Sequence, residues 1–434
     1  MSPQLEHLTT IRAGALTDGD DAERERFQLS SASGLELGNR LRAGRYAVRL
    51  GGEGSAEEVS VERWRRSVPY LHSWAVVPET ARWDYKDDPM RAVRVVRHGS
   101  PAEVIEVQDI PVPEPGPDQV LIEVSAAPLN FGDIARCRGG IASVLAEPPF
   151  TLGMEVCGVV CGAGLGAEKW VGKRVVAMSV MSFGGLADFA LAPVHGVFEA
   201  PPELDDVEAA AFLLPFHTTY LALNTRAKIQ SGETLLVVGG ATALGTAAIQ
   251  LGVAAGARVI ATTGSPGKTS VCEQLGAEAV VDHSSDDLFD RLMKLTSDKG
   301  ADVVCDLIGG SLTETLWSCV AYEGRYLPVG FNGDPEAGFT GRPLRKVSMG
   351  NFSVVGVVVN YGPELPGMRR FGFVPNPPER GAEVNAALSL LVADGVIRPY
   401  VGRRIAIHEV AAALEDHEQR RTQGRTVVDW KAGR

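Results

Sequence analysis

The chain has 434 residues, of which 45% are apolar and 22% are charged, as in globular proteins with a substantial hydrophobic core. Its net charge of -12 argues against nucleic acid and anionic membranes as partners, because both are bound by basic surfaces. No apolar run reaches the roughly 18 residues of a membrane span, and the N-terminus lacks a secretory apolar core, so we expect a cytoplasmic protein.

The first 89 residues are polar and turn-rich, with loop-like stretches such as "DGDDAERER". They also contain the strand-like "GRYAVRLGG" and three tryptophans, Trp64, Trp74 and Trp83, which argue against disorder. So short a segment would be a marginal domain by itself. We therefore expect residues 1–89 to be an N-terminal extension that packs on the β domain after it, with these tryptophans facing inward.

Two patterns of secondary structure follow the extension. From Met90 to about residue 204, short strands between Pro and Gly residues predict an antiparallel β domain. From about residue 205, strands alternate with helices, which predicts an α/β fold with a doubly wound parallel sheet of the Rossmann type. The C-terminal part is mixed, with a predicted helix in "EVNAALSLLVADG" and a predicted strand in "RTVVDW". The strands predicted for the parallel sheet are "TLLVVGG", "ARVIATT", "EAVVD", "ADVVCDLIGG", "GRYLPVG" and "FSVVGVVV".

The segment "VVGGATALG" lies between the first of these strands and a helix, where a dinucleotide-binding loop belongs. Gly240 and Gly245 take the outer positions of the G-x-G-x-x-G pattern, but Thr242 takes the middle one. Either the phosphate fits more loosely there or the Thr242 hydroxyl contacts it. We assign Gly240, Thr242, Ala243, Leu244 and Gly245 to a pyrophosphate site, with a tight turn that binds nothing as the alternative.

The end of the second strand indicates which cofactor the loop binds. An NAD site places an acidic residue about 20 positions beyond the glycines, and this chain has Thr263 there, with no Asp or Glu before Glu273. Thr263, Ser265 and Lys268 instead offer hydroxyl groups and a cation to a 2′-phosphate. The sequence therefore favours NADPH, and an ordinary turn with a solvated lysine is the alternative.

From Met90 to Trp430 the chain resembles the medium-chain dehydrogenase/reductase superfamily, in its zinc-free quinone oxidoreductase and enoyl reductase branch. The resemblance implies a chaperonin-10-like, β-rich catalytic domain of residues 90–204 and 356–434. It implies a Rossmann domain of residues 205–355 inserted in it, an active site in the cleft between the two, a small-molecule substrate and a homodimer. The matching segments are "PVPEPGPDQVLIEVSAAPLNFGD", "LGMEVCGVV", "GETLLVVGGATALGTAAIQLGVAAGARVIAT", "LGAEAVVD" and "GRYLPVG".

Zinc-containing members of the family carry a cysteine at the position of Asn130 and a histidine at the position of Met154. An amide is a poor zinc ligand and a thioether is too soft, so we expect no metal site. Reduction of an alkene conjugated to a carbonyl, or of a quinone, needs no Lewis acid. Hydride adds to carbon, and hydrogen bonds can hold the enolate until it is protonated.

The resemblance also suggests which residues surround the nicotinamide. Asn130 and Asp133 match the motif N-F-x-D and would be catalytic, although a turn-and-cap pair that orders the loop is the alternative. Thr218 matches a cleft threonine that contacts the cofactor, and the "GRYLPVG" match adds Gly330 and Phe331 to the cofactor site.

The proton donor is a departure from the family. Several enoyl reductases have a tyrosine where this chain has Ile141, which leaves water or another side chain as the donor. His217 is either an acid that faces the cleft or a packed or solvated histidine.

Three functions are compatible with these observations. The first is a zinc-independent, NADPH-dependent reductase of an enoyl thioester or enone. The second is an NADPH quinone oxidoreductase, and the third is a cofactor-binding regulatory or scaffold protein with little catalysis.

Overall fold

The structure is a computed structural model, and two compact units make up the chain, Met1–Thr80 and Ala81–Arg434. Trp64, Trp74 and Trp83 lie outside the described residues, so their packing stays a prediction. The described residues are 89–139, 146–284, 287–330, 344–364, 368–371 and 373–431, together with the backbone of 11–15, 27–28, 46–50 and 57–59.

The first unit contains a four-stranded antiparallel sheet in the order β2-β1-β3-β4. Its third strand lies within the segment "GRYAVRLGG" and confirms the strand expected there. The strands are β1 (Ile11–Ala15), β2 (Phe27–Gln28), β3 (Tyr46–Leu50) and β4 (Glu57–Val59).

The second unit combines a β-rich domain with a parallel sheet. None of the helices in its described residues has the length and apolar character needed to cross a lipid bilayer. Its described strands are β5 (Pro89–Val95), β6 (Ile105–Pro111), β7 (Gln119–Pro128), β8 (Phe150–Thr151), β9 (Glu155–Ala163), β10 (Arg174–Met178), β11 (Phe189–Pro193), β12 (Val197–Glu199), β13 (Thr234–Val238), β14 (Arg258–Thr263), β15 (Ala279–Asp282), β16 (Ala301–Asp306), β17 (Val320–Pro328), β18 (Ser353–Val354), β19 (Val401–Ile405) and β20 (Arg425–Asp429). Its described α-helices are α1 (Pro101–Val104), α2 (Phe131–Cys137), α3 (Asp206–Ala210), α4 (Leu213–Tyr220), α5 (Ala243–Ala254), α6 (Thr269–Gln274), α7 (Leu288–Thr296), α8 (Thr313–Ser318), α9 (Arg345–Gly350), α10 (Pro378–Ala393) and α11 (Val410–Glu418).

The β-rich domain is built from two sheets. One has the order β12-β10-β9-β7-β20-β19, with β11 also paired to β7, and the other has the order β6-β5-β8. All pairs are antiparallel except β19 with β20, as the sequence predicted for an antiparallel β domain. Because β20 pairs with β7, the C-terminal segment completes the β-rich domain.

The parallel sheet has the order β15-β14-β13-β16-β17-β18, the strand order 3-2-1-4-5-6 of a Rossmann fold. The central strand β13 is buried from Leu235 to Val238, because helices cover both faces of a doubly wound sheet. The α/β fold class predicted from the sequence is therefore confirmed. Strand order reverses between β13 and β16, so a ligand is expected at the carboxyl ends of these two strands.

The segment "FSVVGVVV" is shorter as a strand than the sequence suggested. Only Ser353 and Val354 pair with β17, and the amide of Val355 then donates to the carbonyl of Tyr326. Beyond this point no residue up to Asn360 belongs to a strand. The β-branched residues of this stretch favour an extended conformation, but propensity does not provide a pairing partner.

One hydrophobic cluster crosses from the β-rich domain into the parallel sheet. Helix α4 contributes Phe212, its N-terminal flank, and Phe216, whose rings stack 5.6 Å apart. Phe198 of the β-rich domain and Leu235 of β13 belong to the same cluster. Because this core is continuous, α4 fixes the β-rich residues around the cleft against the carboxyl edge of the sheet.

Candidate active site

The predicted dinucleotide loop lies between β13 and α5. Gly239 has φ 85°, a conformation that favours glycine, and Thr242 is the N-cap of α5. The Thr242 hydroxyl donates to the carbonyl of Gly239 at 2.8 Å and accepts from the amide of Gly245 at 3.1 Å. The hydroxyl is thus used to close the loop and to cap the helix, so a phosphate contact through it would break the cap.

Glycine is required in this loop because backbone atoms lie against Gly245 and buried side chains lie against Gly240. A Cβ on Gly245 would lie 2.2 Å from the carbonyl oxygen of Gly239, and a Cβ on Gly240 would lie 2.9 Å from the side-chain Cβ of Ala261. The first amides of an α-helix have no partner within the helix, which leaves those of Ala243 and Leu244 for an anion. A threonine in the middle position is therefore compatible with a phosphate cradle made of backbone.

The loop after β14 carries the predicted 2′-phosphate residues. Thr263 is buried and donates to the carbonyl of Ser265 at 3.2 Å. The Lys268 ammonium donates to the carbonyl of Arg420 at 2.7 Å, and burial together with the nearby Arg420 guanidinium lowers the pKa of Lys268. Burial and the charge of Arg420 also lower the pKa of His283, which follows β15.

Sequence reasoning missed Arg420 because it lies about 150 positions from the loop that it joins. The structure brings Lys268, Arg420 and His283 together beside the end of β14. No carboxylate is paired with Lys268 in the described residues. Two cations, Lys268 and Arg420, at the strand end that precedes an adenosine ribose suit a 2′-phosphate, as predicted from the hydroxyls and lysine alone.

Gly330 lies just beyond β17, on the same edge of the sheet as the dinucleotide loop. A Cβ there would lie 1.9 Å from the carbonyl oxygen of Leu307, so only glycine allows this close approach. Phe331 and Ile141 lie outside the described residues. Thr218 is buried, and its hydroxyl donates to the carbonyl of Leu214 at 2.6 Å, one turn earlier in α4.

Asn130 and Asp133 lie at the start of α2. Asp133 is fully buried, and its two oxygens accept from the amides of Asn130 at 2.8 Å and Gly153 at 3.3 Å. Burial raises the pKa of Asp133, while Arg136 and these amides oppose that shift. This geometry matches the turn-and-cap alternative for Asp133, because its carboxylate orders the loop on which Asn130 lies.

A buried ion pair surrounds the Asn130 side chain. Arg425 of β20 forms an ion pair with Glu155 of β9, and its guanidinium also donates to the Asn130 side-chain oxygen at 3.0 Å. The other Glu155 oxygen accepts from the amide of Leu214 in α4 at 2.8 Å. The amide of Gly424, next to Arg425, donates to the carbonyl of Ala241 in the dinucleotide loop at 2.8 Å. These contacts place Asn130, Glu155 and Arg425 beside the dinucleotide loop. We call these three residues the Asn130 wall.

His217 does not face the cleft. It is fully buried, with one ring nitrogen 3.0 Å from the Tyr361 hydroxyl and the other 3.3 Å from the Asn385 side-chain oxygen. Burial lowers the pKa of His217 to about 3, so the ring is neutral at physiological pH. The structure therefore supports the packed alternative for His217 and gives no access for it to act as a proton donor.

The residues at the carboxyl edge fit a phosphorylated dinucleotide. The backbone cradle at Gly245 suits a pyrophosphate, and the cations beside Thr263 suit a further phosphate on the adenosine ribose. In the described residues, no group of three or more His, Cys, Asp or Glu side chains is arranged to hold a metal ion.

The comparisons with known proteins agree with this geometry. The family model described as Alcohol dehydrogenase GroES-like domain matches residues 116–202, and the one described as Zinc-binding dehydrogenase matches residues 243–372. A quinone oxidoreductase of Pongo abelii is 32% identical over 75% of this chain and 93% of its own length.

Two solved structures share the fold. A probable oxidoreductase of Mycobacterium abscessus is 31% identical, with a TM-score of 0.66, over 79% of this chain and 99% of its own. A mycobacterial protein solved in complex with NADPH is 27% identical, with a TM-score of 0.67, over 78% of this chain and 99% of its own. The chain therefore belongs to the medium-chain dehydrogenase/reductase superfamily and is an oxidoreductase of that superfamily.

Proposed function

We propose that the protein is an NADPH-dependent, zinc-independent reductase of carbon–carbon double bonds conjugated to a carbonyl group, such as those of enones and enoyl thioesters. The observation that carries this proposal is the pair Asn130 and Met154 at the positions where zinc-containing members hold the metal. A thioether and an amide that is engaged by Arg425 are poor replacements for a cysteine and a histidine.

NADPH is the proposed cofactor. Support comes from the cations Lys268 and Arg420 at the end of β14, and from the relative that was solved with NADPH. We propose that the amides of Ala243 and Leu244, with Gly240, Thr242 and Gly245, shape the pyrophosphate cradle. When bound, NADPH supplies the hydride.

Further cofactor contacts are proposed along the same edge of the sheet. Thr263 and Ser265, with Lys268, would hold the 2′-phosphate. Thr218 and Gly330, with Phe331, would line the nicotinamide half, where the missing side chain of Gly330 lets the chain pack against the backbone of Leu307.

We propose different roles for the two residues of the N-F-x-D motif. Asn130 would contact the substrate or the nicotinamide, with its amide oriented by Arg425 and Glu155. Asp133 acts as a positioning residue, since both of its oxygens bind backbone amides. Because Arg425 also lies beside the dinucleotide loop, the same network aligns the wall of the cleft with the cofactor.

Quinone reduction is the second candidate, and the relative from Pongo abelii, named quinone oxidoreductase, favours it. A quinone is also a conjugated carbonyl, so the cleft needs the same hydride geometry for both acceptors. The sizes of the acceptors differ, and that difference is what an assay has to resolve.

A screen of NADPH oxidation separates the proposals. We expect the purified full chain to oxidise NADPH with an enone or an enoyl thioester and to keep this activity in a chelator. Higher kcat/KM with quinones would favour the second candidate. No oxidation with any acceptor, together with tight NADPH binding, would indicate a cofactor-binding regulatory or scaffold protein. About one zinc per chain, removable with loss of activity, would contradict the zinc-independent mechanism.

A further inference from the structure

Arg136 is a buried arginine whose guanidinium makes no hydrogen bond to any of the described residues. The residue is 5% exposed, and its Nε is buried without a partner. The nearest carboxylate oxygen is that of Asp133, 4.0 Å from Nη1, and Asp133 already accepts from two backbone amides. Buried charged groups in proteins are normally hydrogen-bonded as well as paired. The Nη donors of Arg136, which are not enclosed as Nε is, are therefore available to a ligand.

The guanidinium lies beneath two half-buried residues, Gly132 and Met154. A Cβ on Gly132 would lie 2.9 Å from Nη1 of Arg136 and 3.0 Å from the sulfur of Met154. Because Gly132 and Met154 are half-buried, solvent or a ligand reaches them. Because residue 132 is glycine, the space that its side chain would fill is left to the guanidinium.

Two further contacts hold the guanidinium in place. The ring of Phe183 lies 4.7 Å from its central carbon, which is the distance of a cation–π contact. Asp133 supplies a countercharge without using the N–H donors. Asn130 is the N-cap of the helix that carries Gly132, and the sulfur of Met154 lies beside Gly132; both occupy the positions of zinc ligands in zinc-containing members. A fixed positive charge therefore lies next to the place where those members hold a metal.

We propose that the Arg136 guanidinium is the oxyanion-binding group of this site and that its ligand is the carbonyl oxygen of the hydride acceptor. The inference rests on the proposed function. As hydride forms the C–H bond at the β-carbon, the electron pair of the double bond moves onto the carbonyl oxygen, and NADPH is oxidised to NADP⁺. The guanidinium donates charge-assisted hydrogen bonds to that oxygen until the α-carbon takes a proton from water.

The first test compares variants of Arg136 with an exposed neighbour. We expect Arg136→Met to lower kcat for an enone or a quinone by about 10²–10³-fold, as for the loss of one oxyanion donor. Arg136→Lys should recover part of kcat because it keeps the charge. Gly132→Ala should also lower kcat, since its Cβ displaces the guanidinium without changing the charge. The matched control is Arg138→Met, because Arg138 lies on the same helix end and is paired with Glu418.

The second test does not depend on turnover. We expect 4-nitrophenol, whose phenol and phenolate forms differ in absorption, to bind the unmutated protein as phenolate and to show a lowered apparent pKa. Arg136→Met should abolish this shift, whereas Arg138→Met should keep it. The affinity of Arg136→Met for NADPH should stay close to the unmutated value, which is the control that the variant is folded.

Distinct results overturn the two proposals. If the unmutated protein reduces none of the acceptors, the proposed function is wrong. If it is active and Arg136→Met keeps its kcat and its phenolate shift, the proposed function stands and the role of Arg136 is wrong. A rise in KM with unchanged kcat would also overturn it, because an oxyanion-binding group acts mainly in the transition state.

Discussion

The loop from Gly239 to Gly245 is made of backbone, whereas the wall around Asn130 is made of buried charges. In the loop, amides and carbonyls of neighbouring residues set the geometry, and the Thr242 hydroxyl completes it from within. In the wall, Glu155 and Arg425 meet from strands that are 270 positions apart. The geometry of the proposed cofactor loop thus depends on local backbone conformation, whereas the geometry of the Asn130 wall depends on long-range electrostatics.

Different kinds of substitution should disrupt the two regions. A cradle made of backbone is disrupted when a side chain is added, because the backbone atoms are already in contact and leave no space for it. A charged wall is lost when a side chain is removed, because the remaining charge is left buried without its partner. Substitutions in the two regions should therefore affect different measurements, cofactor affinity in one and stability in the other.

The largest effect is expected from breaking the buried ion pair. Arg425→Met leaves the Glu155 carboxylate buried without its partner and should lower the free energy of unfolding by about 3–5 kcal/mol. Urea denaturation measures this loss. The double variant Arg425→Met with Glu155→Gln should recover much of it, and equal losses in the single and double variants would contradict the assignment.

The cofactor cradle should respond to one added methyl group. In Gly245→Ala the new Cβ would press on two carbonyl oxygens of the backbone, so NADPH binding should weaken by up to about 3 kcal/mol, the upper end for overpacking. Fluorescence titration with NADPH measures the affinity. Gly356→Ala is the matched control because its Cβ would meet no atom within 4 Å. Equal affinities in the two variants would exclude a cradle at Gly245.

His217 should make the protein less stable in mild acid. Its pKa in the folded protein is about 3, below its ordinary value of 6.5, so the unfolded chain takes up the proton first as the pH falls. Stability should therefore fall from pH 6.5 downward, by about 1.4 kcal/mol per pH unit, and level off near pH 3. Unfolding free energies at pH 7 and pH 5 should differ less in His217→Gln than in the control His408→Gln, which alters an exposed histidine.

The smallest effect is expected at the proposed 2′-phosphate site. Lys268→Ala should weaken NADPH by roughly 1–2 kcal/mol, the scale of one hydrogen bond to a charged group, and leave NADH nearly unchanged. We expect the unmutated protein to bind NADPH at least about tenfold more tightly than NADH, which corresponds to about 1.4 kcal/mol. Lys294→Ala, on the exposed face of α7, is the control. Equal affinities of the unmutated protein for the two cofactors would refute the site.

Local pattern was enough to predict the architecture and the turn between β13 and α5, while the role of that turn in cofactor binding stays a prediction. The alternation of strands and helices predicted the parallel sheet, and the glycines between β13 and α5 predicted the turn, because both are features of neighbouring residues. The absence of an acidic residue before Glu273 pointed to NADPH for the same reason. The strand in "FSVVGVVV" was overestimated, since a strand requires a pairing partner that propensity does not reveal.

The sequence by itself determined the order of the elements and the glycine turn between β13 and α5, and it supplied Asn130 and Met154 as the basis for the proposed zinc-independent chemistry. Only the tertiary structure decided which charges meet. It placed Arg420 beside Lys268, buried His217 against Tyr361, and joined Arg425 to Glu155. It also turned Arg136 into the space that Gly132 leaves free. These contacts depend on the angles at which strands and helices pack, and no local period or propensity encodes those angles.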